Sequence, residues 1–195
     1  RTVPLEPLPI PEELDAICRK AIAREVSDRY PDAGALGEAI HAWLEGSQRQ
    51  ELALNIVTSA ESLLPEISDL RALAQRRRLE AERYLREVKP WEPIERKKRG
   101  WRLEDEAQRL DLLAAIREVE HVHTLQGALT HVPDLPEAHA RLAAYYHEKH
   151  LQAEQGRDLK SAAQYELLLR AHDRGHFNAY LSGELSLIHI SEPTR

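Results

Sequence analysis

Apolar residues recur along this chain at helical spacing almost from end to end, while the alternation that marks half-buried strands is scarce. The first ten residues hold Pro4, Pro7 and Pro9 and read as an extended lead-in. Pro11 suits a first helical position. After it, Leu14, Ile17, Cys18, Ala21 and Ile22 fall on one face of a helix. A second helix is predicted from the N-cap residue Asp32, turning Ala33, Leu36, Ile40, Trp43 and Leu44 inward, with Gly46 ending it. This pair has too little apolar surface to fold alone.

Beyond Gly46 the stripes lengthen. Ile56, Ala60, Leu63, Ile67, Leu70, Ala74, Ala81, Tyr84 and Val88 keep an alternating four-three spacing, with Arg77 the one polar occupant, as in the seam of a coiled coil. Pro65 must kink or split that helix, and Lys89-Pro90-Trp91-Glu92-Pro93 ends it. A further helix is expected near Leu103, with Ala107, Leu110, Leu113, Ala114 and Ile116 facing inward. An antiparallel hairpin buries both stripes, and Trp91 and Trp101 are expected to plug its connecting end. The predicted fold class is all-α.

The chain has 195 residues, 42% apolar and 31% charged with both signs interleaved, which suits amphipathic helices with solvated outer faces. A net charge of −6 argues against a nucleic-acid partner. The basic runs Arg76-Arg77-Arg78 and Arg96-Lys97-Lys98-Arg99 stand among Glu80, Glu82, Glu92 and Glu95. They read as a solvated helix face or as a loop before Gly100. No apolar run reaches the ~20 residues of a membrane span. The lone Cys18 has no partner for an internal disulfide and fits a reducing cytoplasm, the expected location.

Three segments carry resemblances. Ile10-Pro11-Glu12-Glu13-Leu14-Asp15-Ala16-Ile17-Cys18-Arg19-Lys20-Ala21-Ile22, the turn Ser27-Asp28-Arg29-Tyr30 and the closing Ala42-Trp43-Leu44-Glu45-Gly46 resemble the last two helices of a bacterial Ser/Thr protein kinase domain. The resemblance implies that Arg29 is the arginine that pairs with the glutamate of an Ala-Pro-Glu motif, a partner this sequence lacks. It has Val26 where the family usually has proline. From His123 onward the chain resembles tetratricopeptide repeats. Ala128-Leu129 and Pro133 match the end of one repeat; Leu142, Ala143 and Tyr146, then Tyr165, Leu168 and Leu169, match the two helices of the next. The stretch from Tyr146 to Ser161 exceeds that spacing by about six residues, so the region is TPR-like at most. Residues 175–183 resemble the start of a β-rich region that follows such helices in some large bacterial kinases. Leu185 to Arg195 matches, residue for residue, a translated transposase sequencing adapter, so the chain is expected to be an open reading frame cut at both ends.

The expected organisation is therefore a kinase-domain end at 1–46, a coiled-coil-like hairpin at 47–121 and TPR-like helices at 122–175. The start of a further region at 176–184 and adapter at 185–195 complete it. Catalytic motifs are missing. The eight glycines are scattered, there is no Asp-Phe-Gly, and His172-Asp173-Arg174 is a permuted match better read as the polar end of a helix. Ten histidines invite a metal hypothesis. On a helix, however, His121 and His123 point apart, and His147 and His150 lack a third ligand, so solvated surface positions are expected for them. Neither metal nor cofactor is expected here. ATP and Mg belong to the implied parent, whose upstream kinase lobe is one expected partner, with a protein on the TPR-like surface as another. The alternative is a helical-repeat adaptor with no kinase activity.

Overall fold

The computed structural model describes residues 10–183. The proline-rich residues 1–9 and the adapter-like 185–195 lie outside that range, as does position 184. Every regular element among the described residues is helical: α1 (Glu12–Ala21), a short 3-10 turn (Val26–Asp28), α2 (Ala33–Glu61), α3 (Leu64–Glu87), α4 (Ile94–His131), α5 (Pro136–Gln155), α6 (Leu159–His172) and α7 (Asn178–Leu181). The all-α class is as the periodicity predicts. Two compact units divide between Leu52 and Ala53.

In the first unit, α1 starts behind Pro11 as predicted and buries no residue. Asp32 caps α2, its Oδ1 accepting the Ala35 N–H at 2.8 Å. Gly46 does not end α2, which runs on to Glu61. A glycine costs a helix only about 1 kcal/mol relative to alanine. The helix formers around it, Leu44, Glu45, Gln48, Arg49 and Gln50, carry the helix through.

In the second unit, Pro65 splits the predicted seam helix: α2 stops at Glu61 and Pro65 sits in the first turn of α3, where its missing N–H costs nothing. Helices α3 and α4 pack antiparallel, with Glu66 beside Arg117 and Arg77 beside Glu106. The coiled-coil seam thus closes within one chain. On α3 it buries Ile67, Ala74 and Ala81; on α4 it buries Gly100, Ala107, Ala114 and His121, one residue every seventh position.

Three expectations fail at this hairpin. Helix α4 begins at Ile94 behind Pro93 rather than near Leu103, so the basic run 96–99 is helical and Gly100 lies inside the helix. A Cβ on Gly100 would stand 2.4 Å from Leu85 Cγ, so the close approach of the helices requires glycine there. Leu113 and Ile116 face solvent rather than α3, because the seam is spaced from the small residues Ala107 and Ala114 and large side chains would hold the helices apart. Trp91 and Trp101 are exposed and plug nothing; Leu85, lying over Gly100, fills that end.

The last turns of α4 and the end of α2 join α5 and α6 in one core. Leu125, Leu135, Leu142 and Leu169 are fully buried there, with Ala53, Val57, Ala60, Ala128, Ala143 and Tyr146 around them. Tyr165 and Leu168 pack against it half-buried, so the positions expected to face inward do so. The extra residues before Ser161 are absorbed by lengthening α5 to Gln155. Arg157 then turns the chain with a left-handed φ of 54°, and Asp158 caps α6 by accepting the Ser161 N–H at 3.1 Å. Those hydrogen bonds from Ser161 hold the Asp158 carboxyl below its usual range. Residues 175–183 hold a helical turn, α7, not the strand that a β-rich region would begin with.

The hairpin geometry sets the expected response to overpacking. Gly100→Val lowers the free energy of unfolding in urea by about 1–3 kcal/mol, and the loss shrinks in a Leu85→Ala background. Leu169→Ala, which empties the second core, costs about 2–5 kcal/mol in the same measurement.

Candidate functional site

Arg29 lies just after the 3-10 turn and folds back on the end of α1. Its Nε donates to the Ala23 carbonyl at 2.7 Å and its Nη2 to Arg24 at 3.3 Å. The guanidinium thereby closes the turn between α1 and the 3-10 segment, near the negative end of the α1 dipole. Lys20 stands over the Tyr30 ring at 4.6 Å, tying the same turn to α1. Cys18, expected on an apolar face, is exposed.

The histidines expected at the surface are partly interior. His121, His139 and His150 are buried, while His123 is exposed as its opposite helical direction requires. His121 Nδ1 lies 2.9 Å from the Ala60 carbonyl, which also accepts the Leu63 N–H at 3.1 Å, and so joins α4 to the end of α2. His139 and His172 meet Nδ1 to Nδ1 at 3.0 Å, across α5 and α6. His139 Nε2 lies 2.9 Å from the Pro133 carbonyl and 3.1 Å from Arg174 Nη2. One imidazole nitrogen cannot both donate to Pro133 and accept from Arg174, so the pair has two proton arrangements, each with a single proton between the two Nδ1 atoms. A protonated His172 would place its charge in a half-buried site beside the Arg174 guanidinium. Burial, then His139 and Arg174, accordingly push the His172 pKa below 6.5.

A second histidine group seats α7. The His147 ring stacks on Phe177 with centroids 4.5 Å apart and meets Tyr180 edge-on at 4.4 Å. His150 Nδ1 donates to the Tyr180 oxygen, and Tyr180 donates to Glu154 at 3.2 Å. Burial, followed by Glu154, raises the Tyr180 pKa to about 12. Burial and neighbouring His150 lower that of His147. His172-Asp173-Arg174 is the polar end of α6, as read from sequence: Asp173 accepts the Phe177 N–H at 3.1 Å, and Arg174 reaches Asp134 at 3.4 Å.

A third group ties three helices together. Glu118 of α4 pairs with Arg71 of α3 and with Lys149 of α5, the latter at 2.9 Å, and Lys149 lies over the Tyr145 ring at 5.5 Å. Burial, then the Arg71 charge, lower the Lys149 pKa, while burial raises that of Tyr145 to about 12. Nothing at sequence level marked this group, because its members lie on separate elements. The basic runs make ion pairs along exposed helix faces: Arg77 with Glu80 and Glu106, Arg78 with Asp111, Arg96 with Glu92, Lys98 with Glu95.

The most enclosed cavity described, about 200 Å³, lies between α5 and the segment after α6. Pro136, Ala140, Ala143 and Phe177 form its apolar wall; His172, Asp173, Arg174 and His176 form its polar side. No nucleophile stands beside a base there, and the histidine pair is closed by its own hydrogen bonds, so the arrangement suits binding rather than bond making. Among the described residues no group of three or more His, Cys, Asp or Glu is placed to hold a metal ion, and no helix is long and apolar enough to cross a membrane. No family model, curated protein or solved structure matches the chain.

The two depressed histidines give stability a pH dependence. An unfolded histidine titrates near 6.5, and in the folded chain His147 and His172 take up a proton only at lower pH. The unfolded state therefore binds more protons below that value, and stability present above about pH 6.5 is lost as pH falls through the folded pKa values. Thermal melts between pH 7.5 and pH 5 show Tm falling on the acid side, and His147→Gln/His172→Gln flattens the slope.

Proposed function

We propose that residues 1–46 are the C-terminal end of a bacterial Ser/Thr protein kinase domain and that the helices behind them form its regulatory or scaffolding arm. The observation that carries this reading is the Pro11-x-x-Leu14-x-x-Ile17-x-x-Lys20-Ala21 pattern followed by Asp28-Arg29-Tyr30. It is supported by the surface of the same segment. Ile22 is 80% exposed, Val26, Ile40 and Leu44 are exposed as well, and α1 buries nothing. An upstream kinase lobe would cover such a face.

In this reading the parent transfers the γ-phosphoryl of Mg·ATP to a protein Ser or Thr hydroxyl, in the cytoplasm, with catalytic groups that lie upstream. Arg29 would then exchange its backbone carbonyls for the glutamate of an Ala-Pro-Glu motif. The cavity between α5 and the chain after α6 would receive a protein partner. A second reading, a helical-repeat adaptor without kinase activity, draws on the core around Leu125, Leu135, Leu142 and Leu169, which residues 53–183 complete by themselves.

Reading the source DNA upstream of Arg1 separates the two. In-frame His-Arg-Asp, Asp-Phe-Gly and Ala-Pro-Glu motifs are expected, and an upstream frame of further helical repeats would overturn the kinase reading. Joined to that upstream region, the chain supports Mg·ATP-dependent phosphorylation of protein Ser or Thr, and Arg29→Ala lowers the rate at least tenfold. The 195-residue chain alone transfers no phosphate.

A further inference from the structure

With one side of α4 closed against α3, the opposite side is left to solvent, and it carries large apolar residues. Leu112, Ile116 and Val119 recur at i, i+4 and i+7 and expose 61%, 52% and 68% of their surfaces. At about 100° per residue they lie opposite the buried Ala107 and Ala114. Single exposed aliphatic residues are ordinary on a protein surface. Three in register on a helix whose other side is already satisfied form a second stripe.

The charges at the two ends of that stripe differ in sign. Arg109 precedes it, its Nε donating to the Asp105 backbone carbonyl at 3.3 Å, and no carboxylate pairs with it among the described ion pairs. Glu120 follows it and shares the Arg117 guanidinium with Glu66, at 2.7 Å and 3.0 Å. Two carboxylates on one guanidinium leave negative charge in excess at that end. Arg109 and Glu120 project to the same flank of the stripe, about 16 Å apart along the axis.

We propose that this stripe is the contact surface for a second copy of the chain, with two α4 helices packing antiparallel about a two-fold axis close to Ala115. An isologous contact of this kind repeats every pairing. Arg109 of each copy meets Glu120 of the other. Leu112 enters the gap between Ile116 and Val119 opposite, and Val119 enters the shallow groove lined by Asp105, Gln108, Arg109 and Leu112. A parallel pairing would leave Arg109 and Glu120 on opposite flanks without their complements, whereas the antiparallel one brings them together. The stripe is small beside the ~800 Å² per partner of a stable complex, so the dimer is reversible and depends on concentration.

Sedimentation velocity of the full chain over a hundredfold concentration range tests this. The weight-average mass rises with concentration in the native chain and stays monomeric in Ile116→Lys, whose exposed site leaves the thermal melt unchanged. Arg109→Glu weakens association at least tenfold, and Arg109→Glu/Glu120→Arg restores it. In a Cys18→Ser background, Ile116→Cys, next to the axis, oxidises to a covalent dimer, whereas Val119→Cys, farther from it, does not. A chain that stays monomeric throughout overturns the proposal, leaving the stripe to another partner. So does a dimer indifferent to Ile116→Lys, or equally fast cross-linking at both positions.

Discussion

The distance between α3 and α4 is the constraint on which the rest of residues 53–183 depends. Alanine or glycine at nearly every seventh position lets the two backbones approach until Leu85 lies directly over Gly100. Burial of small side chains releases little apolar surface per residue. The gain comes instead from long, continuous contact, many weak dispersion terms summed along the hairpin. The same closeness forces large side chains outward, which is why α4 wears Leu112, Ile116 and Val119 on its solvent side.

Polar groups inside the second unit are placed where helices meet. His121 serves the end of α2, Glu118 holds cations from two other helices, and the His139–His172 pair bridges α5 and α6. Among the described residues no buried side-chain nitrogen or oxygen lacks a partner. An unsatisfied group at such a depth would cost about 1–3 kcal/mol, so each bridge fixes which helices can be neighbours as well as how firmly they hold.

The periodicity made the helices legible, and with them the α3 face, the split at Pro65 and the cap at Asp32. On α4 it placed Ala107, Leu110 and Ala114 inward correctly but added Leu113 and Ile116 because it weighed size, whereas the seam is written in alanine. It stopped α2 at Gly46 because a glycine near a charged stretch reads as an end, while tertiary context and good helix formers outvoted it. The interior histidines were misread for a different reason. A histidine in a polar stretch looks solvated, and only the meeting of α5 with α6 and α7 shows that His139 faces His172 and that His147 and His150 face Tyr180. Of the candidate site, the positions expected on α5 and α6 could be read from spacing, but the cavity could not, since its walls come from elements far apart in sequence.

The continuity of α4 has a thermodynamic consequence. Its first turns belong to the alanine seam with α3, and its last turns carry Leu125 and Ala128 into the core shared with α5 and α6. A single helix of 38 residues is thus shared by both packing regions. Loosening either end shortens the rod that the other end needs, so the seam and the leucine core of residues 53–183 behave as one cooperative body, and heat dissolves them in a single transition.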